Sequence, residues 1–326
     1  MKIDIVIPVG FKDIHFIHKV VEYVFRCIKD VENIYLLTNK KNFKSINKYL
    51  HQHKKIYLID ENNLIDGLTF SNIGHLLKKH KEDISIGWYY QQFLKFAFGI
   101  SKYADKPYLT WDADTLPIAP LSFYEGEHPL FTIKTEYNPN YFVTIERLLN
   151  IKKKNNFSYI AEHMVFIPQI VSRMLKDIEK SNISGNHWFE KIINAGDYST
   201  TLPTFSEFET YGTYINTYYP ELYHLRHLNT FRHGGLLRGR WVSDKLLRKL
   251  SFDVDTISFE ITDMPLFPYN IPNIYILTRQ RISKIKHYSF KLLLIKIKQR
   301  LSNKKGNEEI LKLMDRMNQT NYNKEK

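Results

Sequence analysis

The chain has 326 residues, of which 43% are hydrophobic and 14% aromatic, enough to bury a large core and too apolar for a disordered or low-complexity protein. The net charge of +13 is uneven: residues 271–326 hold fourteen Lys and Arg against four Asp and Glu, so the first 270 residues are nearly balanced and do not read as a surface built throughout for nucleic acid. A single cysteine, Cys27, excludes an intramolecular disulfide and a cysteine-based zinc site and fits a reducing cytoplasm, and no apolar run approaches the roughly 18 residues that a membrane-spanning helix needs.

The opening MKIDIVIPVGFKD is interrupted by Asp4 and lacks a small-residue cleavage site, so it reads as a first buried strand, Ile3 to Val9, rather than a signal peptide. Behind it Ile17, Val20, Val21, Val24 and Ile28 recur at helical spacing. A strand at Asn33 to Thr38, a helix at Asn42 to His51 and a strand at Lys55 to Ile59 complete a βαβαβ run, the signature of a parallel sheet covered by helices. Gly87 to Ala97 predicts a helix with an apolar face at Tyr89, Phe93, Phe96 and Ala97 and a polar side at Gln91, Gln92 and Lys95. Pro107 to Trp111 reads as a short buried strand that runs directly into Asp112-Ala113-Asp114-Thr115. Pro117 and Pro120 bar a helix after it, and Leu130 to Lys134 is expected to continue the sheet. Residues 138–200 read as mostly helical, and Ser206 followed three residues on by Glu209 is a capping-box pattern, so Glu207 and Glu209 open a helix. From Arg279 to Lys305 ten Lys and Arg, with no acid, flank Phe290, Leu293, Leu294, Ile297 and Leu301 at helical spacing. That pattern describes an interfacial helix on an anionic membrane, the alternative being a helix that packs its stripe on the core. No internal repeat is present.

The sharpest chemical feature is Asp112-Ala113-Asp114. Two carboxylates one residue apart, where a strand ends and its backbone turns, can face one hard divalent cation, which fills its remaining positions with phosphate and water. The bland alternative is a polar turn after a strand. Its place at a strand end in an α/β domain favours the metal, because ligands of open α/β sheets bind outside the carboxyl ends of the strands.

Together with the strand Ile3 to Val9 and the helix Gly87 to Lys95, this stretch resembles the GT-A-type (Rossmann-like) nucleotide-sugar-dependent glycosyltransferases of bacterial capsule and lipopolysaccharide synthesis. It is most similar to an uncharacterised-domain family with Trp-x-x-Gln-Gln, Asp-x-Asp-Thr and Glu-x-Glu-Thr-Tyr-Gly patterns, matched here from Trp88, Asp112 and Glu207. The resemblance spans about residues 1–240. It implies an α/β catalytic domain, expected over 1–270 with a nucleotide-binding half at about 1–135 and an acceptor half at about 136–270; the basic helical tail expected at 271–326 is read from its own charge and spacing. It implies Mn2+ or Mg2+ on Asp112 and Asp114, a nucleotide sugar, UDP-linked by preference, as donor, and the loop Pro8, Val9 to Asp13 facing the nucleotide. Gln92 and Lys95 are candidates for phosphate or donor sugar, or a solvated helix face. Glu207 and Glu209 are candidates for the base of an inverting transfer, one taking the proton of the acceptor hydroxyl while the other caps the helix. Glu207 is preferred because Glu209 closes the capping box.

By the same resemblance His233 is a further metal ligand and Arg232 a diphosphate contact, against a surface histidine in a basic loop. Glu162 and His163 are candidate sugar contacts, against a polar turn, and Tyr211 is a candidate stacking platform, against the core. The expected partners are the donor, a glycan or lipid-linked acceptor, and an anionic membrane surface through 279–305, which places the protein in the cytoplasm on the inner face of the membrane. Nucleic acid is not expected. The competing readings are a metal-dependent phosphodiesterase or nuclease, which needs ligands beyond Asp112 and Asp114, a basic nucleic-acid-binding protein, and a membrane-surface scaffold.

Overall fold

The computed structural model describes residues 2–50 and 53–283. In chain order its elements are β1 (Ile3–Pro8), α1 (Ile17–Cys27), β2 (Val31–Thr38), α2 (Phe43–Leu50), β3 (Ile56–Asp60), α3 (Phe70–Lys78), α4 (Ile86–Gly99), β4 (Tyr108–Trp111), β5 (Thr115–Pro117), β6 (Tyr124–Glu125), β7 (His128–Thr132), α5 (Pro139–Leu149), β8 (His163–Phe166), α6 (Pro168–Glu179), α7 (Trp188–Ala195), α8 (Glu207–Tyr218), β9 (His224–Arg226), β10 (Thr230–Phe231), α9 (Gly235–Arg238), α10 (Asp244–Leu250), β11 (Thr256–Ser258) and α11 (Ile271–Ser283). They divide into two compact units. The first is Met1–Thr230 with Arg248–Ile257, and the second is Phe231–Leu247 with the chain from Ser258 on.

The first unit is built on a five-stranded sheet in the order β3-β2-β1-β4-β8. β1 lies parallel to both β2 and β4, and β2 lies parallel to β3. All six residues of β1 and all four of β4 are buried, which is what strands covered by helices on both faces require. The order 3-2-1-4 is that of doubly wound nucleotide-binding sheets, and it reverses between β1 and β4. The α/β class with a Rossmann-like parallel sheet, expected from the sequence, is thus the fold observed.

Two expectations change. The sheet is continued not by the segment at 130–134 but by β8, which pairs antiparallel with β4 from Tyr108↔Phe166 to Trp111↔His163. All four β8 residues are buried, as a place in the main sheet demands. β7 leaves His128 exposed and joins a separate small sheet in the order β6-β7-β9. The polar side of α4 is not solvated either. Gln92 and Lys95 are 2% and 1% exposed, because α8 lies against that side, while Phe93 and Phe96 enter an aromatic core with Phe166, Trp188 and Phe205. The basic stretch 279–305 lies outside the described residues beyond Ser283. No described helix is long and apolar enough to cross a membrane.

Candidate active site

The turn after β4 is locally determined. Trp111 Nε1 donates to the carbonyl of Thr115 at 2.8 Å, and the Thr115 N–H donates to that of Asp112 at 3.2 Å. The Asp112 N–H donates to the carbonyl of Glu162 at 3.0 Å, anchoring the turn to the chain entering β8. Both carboxylates leave β4 at its carboxyl end, beside the loop that leaves β1. Val9 in that loop is buried and its carbonyl accepts from Thr38 Oγ1 at 2.7 Å. Asp13 is buried and Lys12 Nζ stands 3.8 Å from Asp114 Oδ2. The Pro8–Asp13 loop and Asp112–Asp114 therefore meet where the strand order reverses, the position at which open α/β sheets bind ligands.

Lys95 on α4 joins this turn to α8. Its Nζ lies 2.7 Å from Oδ1 of Asp112 and 2.7 Å from Oε1 of Glu207. Burial pulls the ammonium down, but Asp112 and Glu207 outweigh it and leave the pKa above its ordinary value. Burial pushes the Asp112 carboxyl up to about 6, against the pull of Lys95, and Asp114 adds to the rise. Asp112 keeps 27% of its side chain exposed and Asp114 17%, while Glu207 keeps 5%. Among the described residues no group of three or more His, Cys, Asp and Glu is gathered to hold a metal. The donor set here is the pair Asp112 and Asp114, which fits an ion of the Mg2+ or Mn2+ type that takes one or two carboxylates and completes its shell with substrate phosphate and water.

The two glutamates at the start of α8 are held differently. The Glu207 N–H donates to Gln92 Oε1 at 3.1 Å, and its carboxylate turns to Lys95. Ser206 caps the helix by accepting the Glu209 N–H at 3.2 Å, as the capping pattern predicts. The Glu209 carboxylate does not close the box. It accepts from Ser158 Oγ at 2.6 Å and the Tyr159 N–H at 3.1 Å, and faces Lys153 at 3.4 Å. Burial raises its pKa while those donors pull it back.

His163 lies inside β8, 2% exposed, its ring stacked on Trp111 at 5.0 Å and its Nε2 2.8 Å from Thr132 Oγ1. Burial, with Arg226, Lys134 and Lys95 nearby, holds its pKa well below the usual value, so it stays neutral. Glu162 is 5% exposed, with Lys134 Nζ at 3.7 Å. Both support the Asp112 turn from behind. Tyr211 is fully buried between Phe131 and Phe166, its hydroxyl accepting the Ile167 N–H at 3.0 Å, so its ring is a core ring. His233 and Arg232 belong to the second unit, where His233 Nδ1 is 3.2 Å from Asp263 Oδ1 and Arg232 is 3.8 Å from Glu260. Sequence alone does not single out Thr132, Lys134 and Ser158, whose side chains hold His163, Glu162 and Glu209, or Arg226, which donates to Thr132 Oγ1; none of them carries a motif.

The fold and site define an α/β protein with an acidic pair at the switch point of a nucleotide-binding type of sheet. The profile of a family of unknown function, DUF6492, matches residues 1–234, and the chain belongs to that family. A comparison with curated proteins returns no match. Among solved structures, the bifunctional glycosyltransferase WbbM is similar at 14% identity and TM-score 0.40, over 87% of this chain and 51% of that one, so the chain spans about half of WbbM. The galactosyltransferase LgtC, in complex with donor and acceptor sugar analogs, is similar at 12% identity and TM-score 0.38, over 79% and 87%. Mouse xyloside xylosyltransferase 1 is similar at 11% identity and TM-score 0.38, over 82% and 100%. At scores below 0.5 these likenesses carry no weight for function, which rests on the chain's own residues.

Proposed function

We propose that the protein is a metal-dependent GT-A-type glycosyltransferase that moves a sugar from a nucleotide-sugar donor, UDP-linked by preference, to the hydroxyl of a glycan or lipid-linked glycan in bacterial surface polysaccharide synthesis. The observation that carries this is the convergence at the β1/β4 switch point of Asp112, Asp114 and, through Lys95, Glu207. Asp112 and Asp114 would hold the Mn2+ or Mg2+, which when bound neutralises the donor diphosphate and makes it a better leaving group. The Pro8–Asp13 loop borders the nucleotide. Glu207 is the base: it receives the acceptor proton as the acceptor oxygen attacks the anomeric carbon from the side opposite the diphosphate, which inverts the configuration. Glu209 is committed to Ser158 and Tyr159 and holds α8 in place. The basic stretch 279–305 holds the enzyme on the cytoplasmic face of an anionic membrane beside its acceptor.

The test is hydrolysis of UDP-, GDP- and CMP-sugars with and without Mn2+. EDTA abolishes turnover and Mn2+ restores it. Asp112→Ala and Asp114→Ala fold and lose on the order of 100- to 1,000-fold in rate, the scale of removing one stabiliser of developing charge. Glu207→Gln stops transfer even when the donor is saturating, because the amide cannot take the acceptor proton. Full turnover in EDTA by protein free of metal sinks the reading.

A further inference from the structure

An ammonium buried on a helix is costly unless it is fully paired. Lys95 is paired twice, at 2.7 Å to Asp112 and 2.7 Å to Glu207, and its Nζ also lies 4.3 Å from the centre of the Phe208 ring. The backbone on either side is pinned. Tyr108 donates its hydroxyl to the Lys95 carbonyl at 2.8 Å, and Gln92, one turn earlier, accepts the N–H of Glu207. One cation thus serves two carboxylates that sit on opposite sides of the proposed chemistry, Asp112 with the donor and Glu207 with the acceptor. Its share of attraction to either one depends on the charge of the other, since the Coulomb term between close charges in a buried site is large.

The geometry points to Lys95 as a positioning residue that couples the two sides: it holds Asp112 and Glu207 at once, the negative charge of Glu207 lessens its hold on Asp112 and favours a cation with its nucleotide there, and cancelling that charge leaves Lys95 to Asp112 alone and weakens the binding. The inference rests on the proposed function for the roles of Asp112 and Glu207. During transfer the acceptor proton passes to Glu207, the new glycosidic C–O bond forms, and the bond to the diphosphate oxygen breaks with its electron pair leaving on the nucleotide. Glu207 is then neutral, Lys95 is left to Asp112 alone, and the nucleotide product is held less firmly. The proton that completes the chemistry also promotes product release.

The test measures binding of UDP in Mn2+ by calorimetry on the full chain, with bound Mn2+ counted by electron paramagnetic resonance, so it needs no turnover. Glu207→Gln keeps the shape of the side chain and removes its charge. It should weaken Mn2+·UDP binding by about 5- to 150-fold, the range of ordinary coupling between sites. Lys95→Met should tighten binding, and in that background Glu207→Gln should lose most of its effect. Circular dichroism checks that each variant is folded, and if Lys95→Met is not, the Glu207→Gln comparison decides alone. Affinity of Glu207→Gln within about twofold of wild type overturns the coupling. If Asp112→Ala still abolishes binding in that case, the donor site survives without it. A wild-type protein that binds no Mn2+·UDP overturns both.

Discussion

At the scale of single residues, environment rather than residue type decides which acid can do what. Glu207 and Glu209 are two positions apart on one helix turn, yet Glu209 accepts hydrogen bonds from Ser158 and the Tyr159 backbone while Glu207 accepts from Lys95, which also holds Asp112. Glu61, just past β3, illustrates the cost of a carboxylate with too few partners. Burial raises its pKa to about 7, Asn39 opposes the rise, and Asp60 adds to it. Its folded pKa therefore exceeds its unfolded value of 4.5, and between those two values the folded state holds more protons than the unfolded one. Stability attributable to Glu61 falls as pH rises through this window. Glu61→Gln should remove that dependence and stabilise the protein at pH ~8 by on the order of 1–2 kcal/mol after solvent screening. Denaturant midpoints at pH ~5 and pH ~8 check it, and a variant less stable than wild type at the higher pH contradicts it.

At the scale of elements, α8 is the piece that completes the site, and its sequence explains how it docks. A Cβ on Gly212 would lie 2.3 Å from Cδ2 of Tyr159, a distance no side chain tolerates. Gly212 thus lets α8 lie against Tyr159, and one turn earlier Glu209 accepts that residue's N–H. The Glu-x-Glu-Thr-Tyr-Gly pattern from Glu207 is in large part a docking surface: Glu209 and Gly212 seat the helix, Tyr211 fills the core, and Glu207 is left to face Lys95. Gly212→Ala should cost about 1–3 kcal/mol through overpacking. It should also loosen the Lys95–Glu207 pair, so nucleotide turnover falls more than thermal stability alone accounts for. Thermal melts combined with donor hydrolysis test this, and a variant with wild-type stability shows that Tyr159 moves aside freely.

At the scale of the whole molecule, the excess positive charge lies outside the first unit. The second unit exposes large apolar side chains, with Trp241 57%, Leu266 85% and Phe267 66% exposed, and the basic stretch 279–305 follows it in sequence. Each Lys or Arg near an anionic surface contributes roughly 1 kcal/mol before salt screens it. Truncation after Ser283 should therefore lower binding to anionic vesicles at low salt, while nucleotide binding through Asp112 and Asp114 persists. Equal vesicle sedimentation of truncated and full-length protein shows that the stretch is not the anchor.

The sequence by itself determines the βαβαβ opening, the buried strand into Asp112 and Asp114, and the Ser206 cap, because each depends on side-chain period or on neighbours within a few positions. It does not determine that β8 rather than β7 completes the sheet, since both are short apolar runs and only strand pairing distinguishes them. Nor does it determine the function of Lys95. Helical periodicity places Lys95 and Gln92 on a polar side that reads as solvated, and only the packing of α8 buries them. The partners of Lys95 are 17 and 112 positions away, so no local pattern connects them. Tertiary structure decides the site here because a buried charge must find its counter-charges wherever the fold brings them, and their spacing along the chain is immaterial.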